Sequence, residues 1–99
     1  MTLQKIDELE AKLTGLKRNM DAYDARRQEL VAEMGRLDDG MRTADSIGNT
    51  RGYLDMTRQK EALALRHGAL TKALDVMQAE QEHDRERLCV LLKIMGGRK

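Results

Sequence analysis

The chain has 99 residues, of which 40% are hydrophobic and 35% charged, with two tyrosines, no Phe, Trp or Pro, and a net charge of +1. A chain of this size buries only about 60 to 70% of its unfolded surface, and this balance excludes a globule with a thick aromatic core while matching long helices and coiled coils. Charge divides weakly, with eight Lys/Arg against ten Asp/Glu from Met1 to Asn49 and ten against seven from Thr50 to Lys99, which is not the one-sided excess of a duplex-DNA binder.

The first predicted element is a helix over about 3–42. Apolar residues recur at spacings of three and four as Ile6, Leu9, Leu13, Leu16, Met20, Tyr23, Leu30, Met34, Leu37 and Met41, with only Arg27 interrupting, which is a coiled-coil heptad pattern. No proline breaks it. The start of the chain has no apolar stretch of the kind that directs export, and the longest apolar run, Leu88 to Leu92, is far short of the roughly 20 residues that span a bilayer. The expectation is a soluble, cytoplasmic protein without a membrane span.

A turn is predicted over about 43–52, where glycine, asparagine and hydroxyl residues gather in Thr43-Ala44-Asp45-Ser46-Ile47-Gly48-Asn49-Thr50. Ser46, Asn49 or Thr50 can cap the helix that follows by accepting from its free N–H groups. The second helix is predicted over about 53–95. Its three-four series runs Tyr53, Met56, Lys60, Leu63, His67, Leu70, Leu74, Met77, Gln81, Asp84, Leu88, Leu91 and Met95, and its Ala, Leu, Glu, Gln and Arg are good helix formers. Gly96-Gly97 stops it, and Arg98-Lys99 suits the negative end of the helix dipole.

The two series predict one pairing. In an antiparallel hairpin, facing core positions have residue numbers with a constant sum, and 97 satisfies every layer: Met41 with Met56, Leu37 with Lys60, Met34 with Leu63, Leu30 with His67, Arg27 with Leu70, Tyr23 with Leu74, and on through Leu16 with Gln81, Leu13 with Asp84, Leu9 with Leu88 and Ile6 with Leu91. The midpoint lies between Gly48 and Asn49, inside the segment that composition marks as the turn. The fold class is therefore all-α, a single antiparallel two-helix coiled-coil hairpin associating into a helical bundle.

Chemistry-bearing residues are sparse. A two-helix hairpin offers no concave site where titratable groups converge, so no catalytic residues, no cofactor, no metal and no small-molecule substrate are expected. His83 lies on a charged, solvated face with Cys89 six residues on, which is not the i, i+3 or i+4 spacing of helical metal ligands. Cys89 is the single cysteine and reads as chemically inert, since no His or Cys lies one turn away to activate it. His67 reads as a seam residue opposite Leu30, while Arg27 and Lys60 have stems long enough to carry their charges out of the seam. Asp84 is too short to do so. The pairs Lys17-Arg18, Arg26-Arg27 and Arg85 with Arg87 have acidic neighbours and no interleaved aromatics, so nucleic acid is not the expected partner.

What remains is apolar surface. Leu13 and Leu16 face Asp84 and Gln81 in the expected pairing, so a further partner is expected to cover them. Leu88 to Met95 is apolar nearly all round the helix, which is normally a sign of burial. The expected partner-binding surface is Leu3, Ile6, Leu9, Leu13, Leu16, Leu88, Leu91, Leu92, Ile94 and Met95, binding protein helices of the same or another chain, and a homo-oligomer is expected. Three classes fit: an adaptor, escort or assembly factor, a structural homo-oligomeric bundle, and a weak nucleic-acid-binding accessory protein. The format of two long charged helices with a free apolar end resembles the stalk or escort proteins of flagellar and type III export systems. That resemblance implies docking to a ring ATPase and export chaperones, and it assigns no role to any single residue.

Overall fold

The computed structural model describes residues 2–96. They form two helices, α1 Thr2–Ser46 and α2 Thr50–Gly96, joined by a three-residue turn into an antiparallel hairpin. The fold class is all-α, with no strand among the described residues. Gly97 and the Arg98-Lys99 tail lie outside the described residues.

Both helices run further toward the turn than the predicted bounds of 42 and 53. The hydroxyl and small residues that look like a loop are accommodated within the helices. Thr43 donates its Oγ1 hydroxyl to the Asp39 carbonyl, and Ala44 is buried. Reversal is then confined to Ile47, Gly48 and Asn49. Gly48 takes φ +73°, its N–H bonds to the Asp45 carbonyl, and the Asn49 N–H bonds to the Ala44 carbonyl. This is the Schellman arrangement, which uses a left-handed glycine to satisfy the last carbonyls of a helix. Asn49 immediately caps α2, its Oδ1 accepting from the Gly52 N–H at 3.0 Å, so Asn49 is the cap among the three residues the composition offered.

A side chain at Gly48 would meet nothing within 4 Å, so any penalty there comes from the backbone alone. Gly48→Ala is expected to cost about 1 kcal/mol, read as a melting temperature about 4 to 8 °C lower. An unchanged melting temperature would show that the left-handed conformation does not define this turn.

The described residues fall into two compact units, one of Tyr23–Lys72 around the turn and one of Met1–Ala22 with Ala73–Lys99 at the open end. Within the turn unit, Lys60 Nζ reaches Asp38 Oδ1 at 2.6 Å, and Arg27 reaches Thr71 across the helices and Asp24 along α1. Each cross-helix partner sits one residue from the expected 97 pairing, whereas a register shifted by a heptad would miss by six or eight. Arg27 and Lys60 lay their stems along the seam and turn their charges to polar partners at its edge. Leu30 in this unit is fully inaccessible. The positions of the two three-four series are sheltered, except that Tyr23, Tyr53 and Met95 are exposed, and buried Ala44 extends the first series by one place.

Candidate interaction surface

Within the open-end unit, Ile6 and Leu9 are buried, at 5% and 7% exposure, and Leu13, Leu16, Leu88 and Leu91 are half-buried. These six line the seam between α1 and α2. Leu3, Leu92, Ile94 and Met95 are the members of the predicted surface left open to solvent, at 62%, 49%, 46% and 37% exposure. Val90, absent from the predicted surface, is as exposed as these. Leu88 and Leu91 occupy the α2 seam, so Val90, Leu92 and Ile94 must point elsewhere on a helix with 3.6 residues per turn.

One flank of the seam carries a cleft of about 350 Å³ lined by Lys5 from α1 and His83, Glu86, Arg87, Val90 and Leu91 from α2. His83, Arg87, Val90 and Ile94 follow one another at spacings of four, three and four, a stripe readable in the sequence once the seam positions are known. His83 thus lines a mixed basic and apolar groove. Among the described residues no group of three or more His, Cys, Asp or Glu side chains is placed to hold a metal ion.

Asp84 is the other feature of this unit. It is 1% exposed on the seam of α2, between Gln81 and Leu88 in the three-four series. Lys12 Nζ approaches its Oδ2 at 2.9 Å and Glu80 Oε1 at 3.1 Å. The contact with Asp84 is an ion pair by distance, yet it lacks the geometry of a directed hydrogen bond, and Oδ2 has no other partner. The buried carboxylate is therefore met by charge rather than by a complete set of donors, the arrangement in which desolvation weighs most heavily against Coulomb attraction. Asp84 first and Glu80 second hold the Lys12 ammonium above its ordinary range. A raised lysine pKa stabilises the fold fully below the unfolded value and is lost as pH rises through the folded one, so the Lys12 contribution is present at neutral pH. Lys12 escaped the sequence reading because it occupies no core position. The signal was its place beside Leu13, one step from facing Asp84.

The turn unit carries a larger cleft of about 580 Å³, with Leu37, Gly40, Met56 and Leu63 among its lining residues and Arg36, Glu33 and Arg66 beside them. It holds no nucleophile and no paired carboxylates. Elsewhere Leu54, Leu65 and Val76 are exposed on α2, but they lie eleven residues apart, about 16 Å along the helix, and form no continuous patch.

Fold and surface together define a helical hairpin in which Leu3, Val90, Leu92, Ile94 and Met95 are the exposed apolar residues nearest the open end. No protein-family profile, no curated protein and no solved structure matches the chain. No described helix is long and apolar enough to cross a membrane.

Proposed function

We propose that the chain is a non-enzymatic coiled-coil interaction module, an adaptor, escort or assembly factor that docks protein helices through its open apolar end. The observation that carries this reading is the exposure of Leu3, Val90, Leu92, Ile94 and Met95 within the open-end unit, while the residues between them are occupied by the intrachain seam. Fully burying one such side chain is worth about 1.5 to 3 kcal/mol. Several of them, each already partly covered, can support association near the micromolar level, about −8 kcal/mol, after the ordering cost of binding. Seven methionines in 99 residues add adaptable apolar surface.

The double substitution Leu92→Glu with Ile94→Glu is expected to abolish association while circular dichroism still reports a folded hairpin. Both side chains are about half exposed, so the carboxylates can stay in water when the chain is alone. Loss of helix signal in the double variant would place these residues in the intrachain core. A folded variant that associates as before would move the docking surface to the half-buried stripe at Leu13 and Leu16.

A further inference from the structure

We propose that the occupant of the open end is a second copy of this chain, docked on the flank formed by Leu3, Asp7 and Glu10 of α1 with Arg85, Cys89 and Leu92 of α2. This deepens the interaction-module reading and rests on it. The two flanks of the seam can be told apart. Lys5 shares a cleft with His83, Arg87 and Val90 on one side. Leu3, Asp7 and Glu10 repeat at i, i+4 and i+7 and lie across the Ile6–Leu9 line from Lys5. Arg85, Cys89 and Leu92 repeat at the same spacing and lie across the Leu88–Leu91 line from Arg87 and Val90. The two stripes therefore form the second flank together, and all six residues are exposed.

This flank complements itself. Its α1 stripe is acidic through Asp7 and Glu10 and its α2 stripe is basic through Arg85, and among the described residues none of the three is in an ion pair within the chain. A two-fold axis parallel to the hairpin lays α1 of one copy antiparallel on α2 of the other and keeps every residue at its own height. The 97 pairing, which Lys12 with Asp84 follows to within one residue in this unit, puts Leu3 level with Ile94, within a turn of Leu92, and Glu10 within a turn of Arg85. Across the two-fold, apolar then meets apolar and carboxylate meets guanidinium, and each contact is made twice, as a closed symmetric interface requires. The product is a four-helix bundle in which every neighbour is antiparallel. A partner of another sequence would have no reason to match a charge division that this chain already answers with its own second helix.

The test is sedimentation equilibrium of the full chain across a concentration series, with circular dichroism as the check on folding. The wild type is expected to pass from one-chain to two-chain mass as concentration rises. The exposed Cys89 thiol is expected to react more slowly with a disulfide reagent over the same range, because its stripe becomes covered. Arg85→Glu alone and Glu10→Arg alone each place like charges together twice per dimer and are expected to weaken dimerisation at least about tenfold. An equimolar mixture of the two variants pairs opposite charges at both contacts and is expected to regain the wild-type dissociation constant. A wild type that remains one chain throughout while still capturing other helices through Leu92 and Ile94 overturns the second copy and leaves the interaction module standing. A dimer untouched by these charge changes and by Leu92→Glu with Ile94→Glu overturns both.

Discussion

Replacing Asp84 by leucine is expected to stabilise the hairpin by about 1 to 4 kcal/mol, the gain seen when well-packed apolar residues replace a buried ion pair. Asp84 is 1% exposed, its Oδ2 has no directed hydrogen bond, and its one counter-charge comes from a lysine that is itself half exposed. Removing the carboxylate ends the desolvation penalty and lets a leucine continue the seam above Leu88 and opposite Leu13. The complementary change, Lys12→Ala, is expected to destabilise the wild type, because it leaves the buried charge unanswered. In the Asp84→Leu background the same lysine change should have little effect. Urea unfolding of the two single variants and the double one closes this cycle. A destabilised Asp84→Leu protein would show that the ion pair is worth more than its desolvation costs.

Leu30→Ala is expected to lower stability by about 2 to 5 kcal/mol, the range for deleting a large aliphatic side chain from a closed core. Among the described residues Leu30 is the one large apolar side chain with no accessible surface, so the surrounding helices can relax little into the space it leaves. Leu65→Ala is the internal control. Leu65 is 77% exposed, and its truncation should stay within about 0.5 kcal/mol. Thermal and urea denaturation would read both. Equal losses at the two positions would mean that the Leu30 layer is not the tightest part of the turn unit.

Sequence alone determined the two helices, their antiparallel pairing and the position of the reversal. Period is a local property: three-four spacing marks a helix face whatever lies opposite, and of the sums that align both series, 97 is the one whose midpoint falls within the loop-like run around Gly48 and Asn49. The observed partners of Lys60, Arg27 and Lys12 fall within a residue of that pairing for this reason. The length of the turn was not legible, because Thr43 and Ser46 favour loops and helices alike. The choice fell to the bonds from Gly48 and Asn49 back to Asp45 and Ala44. The division of the apolar end also belonged to tertiary structure. Ile6 and Leu92 look equally apolar in the sequence, and the helix opposite buries one while leaving the other half exposed. Asp84 shows the same dependence. Its place on the seam follows from spacing, but whether it would be covered, and by which lysine, was decided only when α1 brought Lys12 within ion-pair distance of it.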